Sequence, residues 1–422
     1  MSQTMPGVEI MTERAKLVAG REQTVDVLLR VTPPETDVSG SRRRPKLNLS
    51  LVLDRSGSME GSKMGHAREA AKYCVEQLLP ADRLSVVIFD DRVDVLIPSQ
   101  PVENRAGLKE MLARVYARNS TALHEAWVRG GMQVSEHLDT EAINRVLLIT
   151  DGLANVGITS TDEIVSQAQG LFKRGVSTST IGIGADFNED LLMPMAEAAG
   201  GNAWHVQEPE EMQRIFAVEL EGLIAQFAHT VTLGLVPADG VRLVGVLNDF
   251  ELNETGRYKL PNLQAGSPLE VVVQLKIPAQ AAGTKLRLLD MRLGFTPQEA
   301  KAAEVCKQAF EVEFETESAW ERLPVSDEVA KAVQLLMNAR ARREAMAHMD
   351  AGDYVSARAV VMGSLAASAP LMARMEFDGD WRDEHASLTE LSESLEDRSQ
   401  DKDSRKRLAY DSYLRRLSKK LR

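Results

Sequence analysis

From Lys46 to about residue 226, short apolar runs alternate with amphipathic stretches of helical period. Strands are predicted at Lys46–Leu53, Leu84–Phe89, Val146–Thr150, Ser177–Gly182 and Ala203–Val206, the first of them apolar and rich in Leu and Val. Strands buried on both faces of a parallel sheet read this way. Between and after them the spacing predicts helices at Ser62–Leu79, Val102–Val115, Ala122–Leu138, Asp162–Lys173, Glu189–Ala199 and Pro209–Gln226. Such alternation predicts an α/β fold, a doubly wound and mostly parallel sheet with helices on both faces. One pair departs from it. Asp90-Asp91-Arg92 turns Leu84–Phe89 into Val93–Pro98, a link too short for a helical crossover, so these two strands are expected to form an antiparallel hairpin at the sheet edge.

The flanks follow other periods. Val8–Met11 and Thr24–Val31 alternate as strands around a turn at Gly20, and Pro33-Pro34 with the run Val38–Arg44 then marks a linker. After Gln226, strands are predicted at His229–Val236, Val241–Leu247, Gly256–Leu260, Leu269–Ile277, Lys285–Phe295 and Gln308–Phe314 without intervening helices. This pattern suggests an antiparallel β-sandwich that the N-terminal strands complete, with the α/β domain inserted into it. The expected organisation is therefore 1–45 N-terminal strands, 46–227 α/β domain, 228–316 sandwich and 317–422 C-terminal helical region.

Within that last region Val329, Val333, Leu336 and Arg340 follow helical spacing, and the stretch continues through Glu344–Met349. Ala351–Ala357 resembles the turn of a tetratricopeptide-like hairpin. A single copy cannot make a stable stack, so a helical hairpin packed on the sandwich is expected. Residues 376–401 are acidic and 402–422 basic. Tyr410, Leu414, Leu417 and Leu421 form one stripe flanked by Arg415, Arg416, Lys419 and Lys420. The stripe suits a membrane-surface or partner helix, or a final helix docked on the body; docking is the expectation.

A chain of 422 residues fits two or three domains, and 44% hydrophobic with 27% charged residues is a soluble globular composition. A formal charge of −12 argues against a nucleic-acid binder. Cys74 and Cys306 are expected to be buried small hydrophobes rather than a disulfide. Met1–Gly7 carries no basic region followed by an apolar core, so no signal peptide is expected. No apolar run is expected to approach the roughly 18 residues of a membrane span. Together these point to a reducing, cytoplasmic setting.

Candidate chemistry concentrates at Leu51–Met59, where a strand stops at Asp54 and Ser56 and Ser58 follow at alternate positions. Gly57 and Gly61 leave room for a tight turn before the next helix. One carboxylate and two hydroxyls on a stiff turn suit a hard divalent cation such as Mg2+, which prefers oxygen ligands. Thr121 precedes another helix, and Asp151 ends the strand Val146–Thr150. In a doubly wound sheet the strands' carboxyl ends line one crevice, so Asp54 and Asp151 are expected to converge there. Arg55 is the only nearby basic candidate, and alternation points it away from Asp54; no Lys or His motif stands beside the acids. Two unpaired carboxylates in one crevice would need a cation, because burying each uncompensated costs several kcal/mol, of order ~3. The reading depends on the five side chains meeting and on neither acid being neutralised by a basic neighbour; either failure would remove it.

Three alternatives remain open. The acids could be ordinary turn and cap residues. They could serve phosphoryl transfer, with Asp54 as nucleophile and Asp151 as metal ligand; such sites usually add an acid where Ser56 stands, and a lysine. The metal could also be purely structural. Gly182-Ile183-Gly184-Ala185-Asp186 is not read as a dinucleotide loop, since it lacks the third glycine and lies late in the fold.

Asp54, Ser56, Ser58, Thr121 and Asp151 resemble, in type and order, the metal-ion-dependent adhesion site of von Willebrand factor type A domains. Phe89 at a strand end, Thr121–Leu123 and the Thr150–Asn155 stretch are similar to its intracellular and bacterial members. The resemblance covers about residues 46–225. It implies a Rossmann-like domain that holds Mg2+ (or Mn2+ or Ca2+) through these five residues and leaves one coordination position for an acidic side chain of a partner protein. It implies no catalysis, and an AAA+ ATPase as one candidate partner.

Overall fold

The computed structural model describes residues 5–35, 44–118, 120–298, 300, 302–375, 378–397 and 401–419. The predicted linker stretch at 36–43, and Lys420 and Leu421 of the predicted C-terminal stripe, lie outside them. Two compact units form: Met1–Ser39 with Gln226–Arg422, and Gly40–Ala225.

The first unit begins with β1 (Gly7–Thr12), β2 (Leu17–Val18) and β3 (Gln23–Thr32). The chain then builds the second unit from β4 (Lys46–Asp54), α1 (Ser62–Gln77), β5 (Arg83–Phe89), β6 (Val93–Pro101), α2 (Arg105–Ala113), α3 (Leu123–Ser135), β7 (Ala142–Thr150), α4 (Thr161–Lys173), β8 (Ser177–Ile183), α5 (Glu189–Ala198), β9 (Ala203–Val206) and α6 (Met212–Ile224). Its sheet has the order β6-β5-β4-β7-β8-β9. All neighbours are parallel except β5 and β6, the expected edge hairpin. The central strands are buried along nearly their whole length, β8 included although Ser and Thr fill most of it. Gly130 lets α3 lie close on β4: a Cβ there would sit 2.4 Å from Val52 Cγ2. Helix α2 is shorter than the predicted Val102–Val115, because Asn104 caps it, its side chain accepting from Gly107 N–H.

At the far side of this sheet from the candidate site, Arg145 and Glu219 form a fully buried pair, Nη1 to Oε1 3.1 Å. Ser179, Asn202 and Trp204 also donate to Glu219. Burial would push this carboxyl up, but the guanidinium and the three donors hold it below its usual range.

The first unit resumes with β10 (Gln226–Pro237), β11 (Arg242–Val246), β12 (Tyr258–Lys259), β13 (Leu263–Gln264), β14 (Leu269–Ile277), β15 (Lys285–Pro297) and β16 (Glu304–Glu315). Two sheets result, β1-β3-β14-β11 and β12-β10-β15-β16-β2, with β13 also on β10. The N-terminal strand β3 pairs with β14 over nine residues, from Val31↔Leu269 to Gln23↔Ile277, so segments far apart in sequence share one sheet. The apolar faces of both sheets meet in one core that includes Leu29, Val271, Leu293 and Phe314. The two-residue strands β2 and β13 had no periodic signal to announce them.

Five helices follow: α7 (Glu317–Trp320), α8 (Asp327–Asp350), α9 (Tyr354–Arg374), α10 (Gly379–Asp397) and α11 (Asp401–Arg416). Val329 and Leu336 of α8 pack on Leu28 and Val272 of the sandwich, and Arg340 reaches the carbonyls of Val246 and Leu247. Asp353 caps α9 by accepting from Ser356 N–H, so the predicted turn is the hinge of an α8–α9 hairpin. Helix α11 packs on α8 with Tyr410 and Leu414 buried, and Leu417 lies against the sandwich core: the docked arrangement. Beyond the end of β11, the Asn248 side chain donates to Glu270 O and accepts from Val272 N–H, while the Ser418 hydroxyl accepts from Glu270 N–H.

Two expectations need correction. Helix α9 is long and apolar enough by composition to cross a membrane, because Ala, Val, Met and Gly replace charges along it. It packs between α8 and α10 through Ala357 and Val361. Cys74 is buried, but Cys306 is only half-buried, because the core-facing side of β16 is fully covered only towards Val312 and Phe314; both thiols are free.

Candidate metal centre

The site is assembled at the carboxyl ends of β4 and β7. Their parallel register pairs Leu53 with Ile149, which puts Asp54 beside Thr150 and Asp151 one residue beyond. After Asp54 the chain makes a single 3-10 turn at Gly57–Met59 and reaches α1 through Gly61, whose φ of +82° favours glycine. Thr121 comes in on the loop before α3. That loop is held by Arg118 N–H to Arg55 O (2.7 Å), Ala122 N–H to Asp90 O (2.7 Å) and Thr121 N–H to the Asn155 side chain (3.1 Å).

The five predicted residues do meet. Ser56 Oγ and Ser58 Oγ lie 3.1 Å apart, and Ser58 Oγ donates to Asp151 Oδ1 at 2.7 Å. Thr121 closes the other side: a Cβ on Gly152 would lie 3.4 Å from Thr121 Oγ1 and 3.8 Å from Asp54 Oδ2. Asp54 and Asp151 are fully buried, Ser56 and Thr121 nearly so, and Ser58 is exposed at the mouth.

Asp54 accepts from Ser56 N–H at 2.7 Å and from the Thr150 hydroxyl at 2.5 Å. Among the described residues no Lys, Arg or His forms an ion pair with it. Burial therefore pushes its carboxyl up to about 6 against those hydrogen bonds, and the neighbouring Asp151 charge adds to the push. Arg55 points away, as expected, and pairs with Asp90 (3.0 Å) and Asp94 (2.5 Å).

The expectation that no lysine stands beside the acids is wrong. Lys63, the second residue of α1, lies with Nζ 2.6 Å from Asp151 Oδ2. The turn at Gly57–Met59 aims the start of α1 across the crevice, a direction that strand alternation does not encode. Asp151 is thus neutralised by a basic neighbour, while Asp54 is not. Thr150, the other missed contributor, sits in the quoted motif but would have been read as a strand residue.

Two carboxylates and three hydroxyls form a hard, oxygen-only donor set. Among the described residues no group of three or more His, Cys, Asp or Glu side chains could hold a metal, so hydroxyls must supply much of any coordination. Asp54, buried without a basic partner, fits a cation.

Residues 48–218 match the family model of the von Willebrand factor type A domain. This part of the chain is such a domain. The chain is 32% identical over 174 residues to the uncharacterized protein sll0103 of a Synechocystis strain, covering 41% of each chain. It is 25% identical over 256 residues to human inter-alpha-trypsin inhibitor heavy chain H4, covering 57% of this chain and 27% of that one. The chain spans less than half the length of these curated relatives. Among solved structures, a von Willebrand factor type A protein from Catenulispora acidiphila superposes over 88% of both chains, with TM-score 0.65 and 19% identity. The ArnB paralog VWA2 from Sulfolobus acidocaldarius covers 98% of both, with TM-score 0.56 and 16% identity. Both likenesses concern the fold. Domains of this type commonly serve as metal-dependent protein-interaction modules and are generally non-enzymatic.

Proposed function

We propose that this protein binds Mg2+ or a similar divalent cation through Asp54, Ser56, Ser58, Thr121 and Asp151, and uses the ion to capture an acidic side chain of a partner protein. Lys63 neutralises Asp151, which counts against the reading on that side, so what carries it is Asp54, fully buried with its carboxyl pushed up to about 6 and no basic partner among the described residues. A bound divalent ion would supply the missing charge and keep an exchangeable position for an anionic oxygen. The ring-forming ATPase suggested by the family resemblance is a candidate partner, and two free thiols are compatible with a reducing compartment.

Lys63 meets one requirement of the phosphoryl-transfer alternative. The second acid does not follow, because Ser56 stands where such sites usually carry one, two residues after Asp54. The reading is tested by calorimetric titration of Mg2+ and Mn2+ into wild type and Asp54→Ala, with capture from the native source in Mg2+ and in chelator. Binding and ion-dependent capture are expected for wild type and not for the variant, with unchanged circular dichroism. Equal capture in chelator would refute it.

A further inference from the structure

The Lys63–Asp151 pair is more than a surface ion pair. Asp151 is fully buried, and Lys63 is one-quarter exposed. Both oxygens of Asp151 are engaged, one by the Lys63 ammonium at 2.6 Å and the other by the Ser58 hydroxyl at 2.7 Å. The lysine stem passes over Gly184 at the end of β8, where a Cβ would stand 3.6 Å from both Lys63 Cε and Nζ. Gly184 thus lies within van der Waals reach of the ammonium end of the stem. The contact is also asymmetric: the same pole holds Asp54, which Lys63 does not touch.

We propose that Lys63 is a built-in counter-ion that sets the divalent-ion affinity of this pole. It rests on the metal-binding reading above. Without the ion, the ammonium compensates Asp151 and so lessens, without abolishing, its repulsion of Asp54 across the crevice. A divalent ion entering the crevice meets a fixed positive charge and an acid already engaged, so it binds more weakly than five oxygen donors alone would allow. Charges a few ångströms apart at a partly solvated site interact strongly enough to shift an equilibrium by roughly ten- to a hundred-fold. The site is thereby tuned to respond to the ion rather than to hold it permanently.

Mn2+ and Mg2+ are titrated calorimetrically into the full chain carrying Lys63→Met, which keeps the stem and removes the charge, and Lys63→Arg, which keeps the charge. Thermal midpoints are read in chelator. Lys63→Met is expected to bind Mn2+ at least ten-fold more tightly than wild type, Lys63→Arg within about three-fold of it. In chelator Lys63→Met is expected to melt lower, because Asp151 loses its cation. Unchanged or weaker Mn2+ binding by Lys63→Met, with wild type binding normally, would overturn the proposal and leave the metal reading intact. Absence of binding in every protein, including wild type, would overturn both. A Lys63→Met midpoint in chelator equal to wild type would show that the ammonium does not compensate Asp151, and would overturn the proposal independently of any metal.

Discussion

Asp54→Asn keeps the shape of a side chain that the structure holds at a disadvantage. Burial pushes its carboxyl up to about 6 in the folded chain, above the ordinary range of an aspartate. The folded state thus holds the proton more tightly than the unfolded state. Stability is unaffected well below the unfolded value, falls as pH rises between about 4 and 6, and stays reduced above that window. Roughly two units correspond to about 3 kcal/mol of penalty at neutral pH. The amide would leave the Thr150 hydroxyl without its present acceptor, which takes back about 1 kcal/mol. Asp54→Asn should therefore be more stable than wild type by about 2 kcal/mol at pH 7.5 in chelator, and the gap should close towards pH 4. Saturating Mn2+ should reverse the order, since a ligand at a hundred times its Kd adds about 2.7 kcal/mol to the form that binds it. Denaturant unfolding followed by the fluorescence of Trp127 and Trp204, in chelator and in Mn2+ at both pH values, measures each arm. A less stable Asp54→Asn in chelator at pH 7.5 would refute the idea that Asp54 is an uncompensated charge.

Two further outcomes are expected away from the pole. Glu219→Leu leaves the Arg145 guanidinium buried without its counter-charge and should lower stability by about 3–5 kcal/mol, with only part of the loss recovered in Arg145→Met/Glu219→Leu because Ser179, Asn202 and Trp204 still lack their acceptor; denaturant melts of the three proteins check this. The Cys74 thiol, fully buried and pushed up to about 12, should resist a thiol reagent in the native chain at pH 8 while half-buried Cys306 reacts, so the folded protein should titrate near one thiol and the unfolded protein two.

The candidate pole was legible because parallel strands keep register. Once β4 and β7 are recognised as neighbours, the acids that end them must share one crevice, and no packing detail can separate them. Lys63 was not legible, because its direction depends on how a five-residue turn launches a helix. Helix lengths erred where capping decides them, as at Asn104. The stretch Ala351–Ala357 was read from its turn chemistry, which Gly352 at φ +75° and the Asp353 cap bear out. The second arm of that hairpin, α9, was expected, but its apolar length was not, because its residues are small rather than bulky and carry little periodic signal.

Asn248 and Ser418 take the place of a missing strand. Where β11 stops, the amide of one and the hydroxyl of the other occupy the main-chain groups of Glu270 and Val272. A bare ladder at that position would invite pairing with another molecule. Ser418, just past the last helix, thus covers one donor of that edge, and chains shortened before the helix should bare the Glu270 N–H while Asn248 keeps the Glu270 carbonyl and the Val272 N–H occupied.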